Sequence, residues 1–181
     1  MRIFPQMSDP TPSRHFVGDV LADPLVRELL DARLVAVLAT FDLEVAIHAV
    51  PMWYAVAEDA IVLATSSRSR KIRNLERDPR ATLVLHDSRP GFEVCGASVA
   101  GTVEIAPVAG APPLVELVHR RYVTAEGAAD PAAAAFLASD DVALRFRPAS
   151  ALTWDERESD AAAALRRPGG ALPLVPTDPR A

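Results

Sequence analysis

The stretch Thr65-Ser66-Ser67-Arg68-Ser69-Arg70-Lys71-Ile72-Arg73-Asn74-Leu75-Glu76-Arg77-Asp78-Pro79-Arg80 joins the end of one strand to a helix and then to the next strand. Lysine and arginine together number 19, yet Lys71 is the single lysine. Plain positive charge is otherwise supplied by arginine, so a lone ammonium points to a need for its shape. It is a compact charge with three rotatable donors on a flexible stem, which suits one phosphate oxygen. Six basic residues lie in this stretch against Glu76 and Asp78, while the whole chain carries a net charge of −5. The signal is therefore a local anion site and not a general affinity for polyanions. Four hydroxyls precede the helix, whose first amides have no partner inside it and attract negative charge. The motif alone admits a second reading, in which Ser66 or Ser67 caps the helix and the arginines form a solvated face.

Working outward, the helix at 67–77 buries Ile72 and Leu75 and stops at Asp78-Pro79, because a residue before proline avoids the helical region. Upstream, aliphatic and β-branched runs at 34–41, 45–56 and 60–65 are separated by acidic turns, the pattern of antiparallel hairpins. Asp23-Pro24 reads as a cap and first helical residue ahead of Leu25, Val26, Leu29 and Leu30. Downstream come strands at 80–86 and 92–105, a helix at 113–123 and a short helix from Asp130-Pro131 through Leu137. A final strand at 142–147 continues past Pro148 to Trp154. The expected fold is mainly β with flanking helices (α+β), a small antiparallel barrel of about six strands, whose closure removes exposed sheet edges.

The two ends have a different composition. Residues 1–20 and 157–181 are rich in proline or in alanine, arginine and glycine, so they are expected to be a flexible arm and a flexible tail around one domain at 21–156. A brief helix at 160–167 fits the sequence, but nothing there obliges it to pack. A chain of 181 residues, 50% hydrophobic, suits one domain with a real core. No apolar run approaches the length of a membrane span, and residues 1–18 hold no secretion signal, so a cytoplasmic protein without membrane contact is expected. Cys95 is the only cysteine, which excludes an internal disulfide and any multi-cysteine metal site. Nucleic-acid binding is disfavoured because the basic cluster sits on one helix of an acidic chain.

A second motif is His48-Ala49-Val50-Pro51-Met52-Trp53-Tyr54. Proline cannot donate to a β ladder, so Pro51 marks an edge, a bulge or a place where a ligand replaces the neighbouring strand. Trp53 and Tyr54 add aromatic surface on opposite faces. A plain edge strand with core aromatics fits the same residues.

Taken in order, Leu38-Ala39-Thr40, His48-Ala49-Val50-Pro51, Thr65, the block from Ser69 to Arg80, Gly101-Thr102-Val103-Glu104, and Phe146-Arg147-Pro148 through Trp154-Asp155 resemble the pyridoxamine-phosphate-oxidase-like split barrels over roughly 25–155. The resemblance implies an FMN-binding split β-barrel and a homodimer with two flavin sites at its interface. It implies a phosphate held by Thr65, Ser69, Arg70 and Lys71, with Val50, Pro51, Met52 and Trp53 at the ring. It further implies a flavin-dependent oxidoreductase moving a hydride between FMN and a small organic substrate. The family's other cofactor, the 8-hydroxy-5-deazaflavin coenzyme, fits the same phosphate motif. A non-catalytic flavin-binding protein, or a haem-binding one with His48, His86 or His119 on iron, is the competing reading. No catalytic acid or base stands out, and no metal site is expected. One departure is the first hairpin, where Glu44-Val45-Ala46-Ile47 replaces the family's Asp-Gly turn and the proline before the histidine. Valine resists the positive φ of such a turn, so a differently built hairpin is expected.

Overall fold

The computed structural model describes residues 13–89, 93–107, 110–138 and 140–166. Within them, eight antiparallel strands form one sheet: β1 (Arg14–Val17), β2 (Ala36–Phe41), β3 (Ile47–Met52), β4 (Tyr54–Ala57), β5 (Ala60–Ser66), β6 (Arg80–Arg89), β7 (Glu93–Ile105) and β8 (Asp141–Asp155). The order across the sheet is β3-β2-β6-β7-β8-β5-β4, with β1 added to β8. The two ends of that path, β3 and β4, are separated by Trp53 alone. Met52 pairs with Ala36 on one side, and Tyr54 pairs with Leu63 on the other. The single strand expected at 45–56 is thus two strands, and the sheet has to curl into a half-barrel split at this residue.

The helices are α1 (Pro24–Asp31), α2 (Arg70–Arg77), α3 (Ala111–Tyr122), α4 (Ala125–Ala128), α5 (Pro131–Leu137) and α6 (Asp160–Arg166). Asp23 caps α1, its carboxylate accepting from the amides of Leu25 and Val26 at 3.1 Å, while Pro24 occupies a position that needs no donor. Asp130 and Pro131 repeat the arrangement at α5.

Alternation fills the barrel. Leu38, Ile61, Leu63, Leu83, Leu85, Val99, Leu144 and Phe146 are fully buried there, with Val26, Leu29 and Leu30 of α1 and Ile72 and Leu75 of α2 at its margins. Strand β5 is buried on both faces, because Val62 turns outward into a second cluster with Ala143 and Val118 beneath α3. Tyr54 ties the two layers together. Its hydroxyl donates to the carbonyls of Leu29 (3.0 Å) and Leu30 (3.2 Å) at the end of α1, and Arg121 of α3 donates to Leu30 as well. Burial pushes the Tyr54 phenol up to about 12, so it stays a donor. Gly101 has a steric reason: a Cβ there would strike the Arg147 carbonyl where β8 crosses β7 at a bulge opposite Pro148.

The first hairpin differs from expectation. Val45 does adopt a positive φ, 61°. Asp42 makes this tolerable: its carboxylate accepts from the amides of Glu44 and Ala46 at 2.9 Å, and its own amide donates to the Ala46 carbonyl at 3.0 Å. A side chain acting as a turn template replaces the missing glycine.

The ends also carry contacts that composition did not suggest. Arg14–Val17, inside the stretch read as an arm, pairs with β8, and Val20–Ala22 forms a 3-10 turn. At the other end, Arg157 binds Glu28 of α1 and donates to Asp155 at 2.6 and 2.8 Å, and Ala162 is buried. Backbone pairing and ion pairs order chain that has few large apolar side chains. The remainder of both ends, 1–12 and 167–181, lies outside the described residues.

Two outcomes test this account. Val45→Gly relieves about 1–2 kcal/mol of left-handed strain against about 0.4–1 kcal/mol of added unfolded-state entropy, so Tm should rise by about 1–4 °C. A lower Tm would mean that the valine side chain, not the backbone, holds the turn. For Arg157, its hydrogen bonds hold the carboxyls of Glu28 and Asp155 below their ordinary values of 4.5 and 3.8. Depressed carboxylates stabilise fully above those ordinary values and lose the contribution as pH falls through the folded ones. The Tm difference between wild type and Arg157→Ala should therefore shrink between about pH 5 and about pH 2. A difference independent of pH would assign Arg157 a packing role only.

Candidate functional site

Strand β5 ends at Ser66, and a tight connection leads into α2, with the Ser69 amide donating to the Ser66 carbonyl at 3.1 Å. Ser69 is the residue before the helix, yet its side chain makes no capping hydrogen bond. Ser66 and Ser67 do not cap either. Their hydroxyls donate to the two oxygens of Asp140, at 2.8 and 2.7 Å. The first amides of α2 are thus left without a side-chain acceptor, a ready anion seat.

Lys71 completes that seat. Its ammonium donates to the Thr65 hydroxyl at 2.8 Å, and Thr65 in turn lies 3.4 Å from the Ser69 hydroxyl. Thr65 is buried and Lys71 is half-buried. No carboxylate pairs directly with this ammonium among the described residues. Burial lowers its pKa, and the charge of Asp141 nearby works against that shift. A partly desolvated cation beside two hydroxyls gains more from an anion than a surface lysine does.

The other cations of α2 are spoken for. Arg70 pairs with Asp42 of the hairpin at 2.7 Å. Burial raises the Asp42 pKa, but the amides of Ala46 and Glu44 together with Arg70 and Arg77 bring it below the usual carboxylate range. Arg77 donates to the Phe41 carbonyl at 2.7 Å, and Arg73 donates to the Arg68 carbonyl at 2.9 Å. The helix itself is oriented by a buried polar pair that sequence reasoning did not single out: Asn74 donates to the Thr40 hydroxyl at 3.0 Å. Two short polar residues on separate elements give no local signal, so only the fold reveals them.

The remaining expected residues divide. Val50, Pro51 and Met52 lie on β3, an end strand of the sheet path. Pro51 is exposed, Val50 is half-buried, and Met52 turns its side chain into the core. Their edge can offer backbone groups to a flat heterocycle. Trp53 is engaged elsewhere: it stacks on Tyr122 of α3, centroids 4.9 Å apart and planes within 3°, with Phe136 edge-on. Tyr54 is fully buried and offers no ring surface. Thr65, Ser69 and Lys71 are therefore brought together, while Arg70 and Trp53 have partners of their own. The donor set, two hydroxyls, an ammonium and uncapped amides, fits a phosphate. Among the described residues no cluster of His, Cys, Asp or Glu could hold a metal, and no helix is long and apolar enough to cross a membrane.

Comparison with known proteins agrees with this architecture. The conserved hypothetical protein Rv2991 from Mycobacterium tuberculosis superposes with a TM-score of 0.63 at 27% identity, covering 81% of this chain and 91% of that one. A structure described as F420 reductase gives a TM-score of 0.53 at 25% identity, covering 69% and 94%. HutZ, the heme storage protein from Vibrio cholerae, shares the fold at 14% identity, with a TM-score of 0.57 and coverage of 74% and 95%. No curated protein matches the sequence. The family described as Pyridoxamine 5'-phosphate oxidase matches residues 22–155, nearly the whole described sheet with α1 to α5, and the chain belongs to that family of split barrels.

Proposed function

We propose that this protein is a cytoplasmic, flavin-dependent oxidoreductase that acts as a homodimer and moves a hydride between bound FMN and a small organic substrate. The observation that carries this reading is the half-buried Lys71 ammonium, held by Thr65 beside Ser69 and the uncapped start of α2, with no carboxylate paired to it among the described residues. Those groups would hold the phosphate, and the edge of β3 around Val50 and Pro51 would line the ring. A bound flavin supplies the hydride chemistry, and the protein contributes position and exclusion of water. Arg70 contributes less than its sequence position suggests, because Asp42 already holds it. The likeness to a structure described as F420 reductase keeps the 8-hydroxy-5-deazaflavin coenzyme as the second reading.

The homodimer reading draws on the outer face of the sheet. Ala49, Ala39, Thr82, Ala100 and Ser150 succeed one another across β3, β2, β6, β7 and β8, making a row of small residues. Beside it, Leu43, Val45 and Ile47 are 81%, 73% and 72% exposed. A face of small side chains with an apolar rim suits a second copy.

Visible spectra after reconstitution with FMN, the deazaflavin coenzyme or haem test the cofactor. One FMN per chain with quenched fluorescence is expected, whereas a Soret band without flavin uptake overturns the proposal. A charge-assisted hydrogen bond is worth about 1.5–3 kcal/mol, so Lys71→Ala should weaken FMN roughly tenfold to a few hundredfold, and Arg70→Ala by less. Unchanged affinity in Lys71→Ala would remove that residue from the site. For assembly, sedimentation should show a dimer, and Ala49→Arg should give a monomer that loses flavin. A wild-type monomer that retains one flavin per chain would refute the shared pocket.

A further inference from the structure

A groove of about 850 Å³ runs between α3 and the α4–α5 pair, on the far side of β5 from the barrel core. Its volume falls within the range of small-molecule sites. Pro112, Val115, Val123, Ala125, Ala128 and Leu137 make its walls apolar. Several of its polar residues bond to one another or to the backbone. Glu116 and Arg120 hold each other at 2.6 Å, and the Thr124 hydroxyl accepts from the Gly127 amide at 3.0 Å. His119 differs. Its Nε2 lies 3.4 Å from Asp141 Oδ2, both side chains being 12% exposed, and its Nδ1 has no partner among the described residues. A carboxylate beside Nε2 favours the tautomer with the proton there, which leaves the Nδ1 lone pair as an acceptor.

We propose that this groove is a second binding site, taking a small, largely apolar molecule that carries one neutral hydroxyl group, a phenol or an alcohol, which donates to His119 Nδ1. The walls select apolar bulk. The unused imidazole acceptor selects a donor, and the Asp141 carboxylate behind it disfavours an anionic head group. The site does not rest on the flavin reading, since none of the residues named for the phosphate lines it.

Calorimetric titration of the full chain, without cofactor, with 4-propylphenol and with its methyl ether, 4-propylanisole, tests the assignment. The phenol should bind one per chain and the ether, which lacks the donor, about tenfold more weakly. His119→Ala should abolish that discrimination. Ala128→Trp and Ala125→Trp, which fill the groove from two positions, should each remove phenol binding while FMN affinity stays within about twofold; either variant that folds suffices. The proposal is overturned by absence of phenol binding, by equal affinity for phenol and ether in the wild type, or by phenol binding that survives a folded groove-filling variant. Loss of FMN binding in the wild type would instead count only against the cofactor reading.

Discussion

The two ends of the sheet path are formed by strands with one residue between them, and most of the structure follows from that constraint. With Met52 committed to β2 and Tyr54 to β5, the chain must cross from one end of the sheet to the other at Trp53. An open sheet cannot meet that condition, so this one curls. Curling encloses the core and leaves β3 as an end strand of the path. It also puts Tyr54 where its hydroxyl can reach the end of α1, which fixes a helix that is otherwise remote in sequence. Trp53, at the crossing, is steadied by Tyr122 rather than left free for a ligand.

Positioning of α2 is the second consequence. The helix is short, and its exposed face is almost wholly charged, so apolar packing through Ile72 and Leu75 alone would fix it loosely. The buried hydrogen bond from Asn74 to Thr40 sets its rotation, and with it the direction of Lys71. A buried amide without its partner costs more than the bond returns when made, so such a pair specifies geometry more than it adds stability. The ammonium is thereby held at a place that water only partly reaches, and its lowered pKa records the cost of that burial. An anion beside it would reverse the shift.

Much of this was legible in sequence where the signal is local. The start of α1 could be read from Asp23-Pro24, the end of α2 from Asp78-Pro79, and the first strands from their aliphatic and β-branched runs between acidic turns. The Ser-Arg-Lys block could be read as a candidate anion site because residue type and position coincide. What could not be read depends on partners distant in sequence. The break at Trp53 arises from two different pairings, not from a turn residue. Arg14–Val17 is a strand only because β8 is long enough to accept it. Pairing of Arg70 with Asp42 depends on a hairpin whose left-handed valine no propensity scale would allow. His119 and Asp141 meet through the packing of α3 on β8, and neither residue has a motif around it.

Asp141 has a place in both halves of the molecule. It opens β8 opposite Ser66, the last residue of β5, so its carboxylate sits at the strand end from which the candidate phosphate site begins. Its charge acts on Lys71 from one side and lies against His119 on the other. Its charge offsets part of the cost of keeping the half-buried Lys71 ammonium charged, while the same carboxylate stands against an imidazole on the wall of the groove, so one side chain at the start of β8 shapes the field on both sides of that strand end.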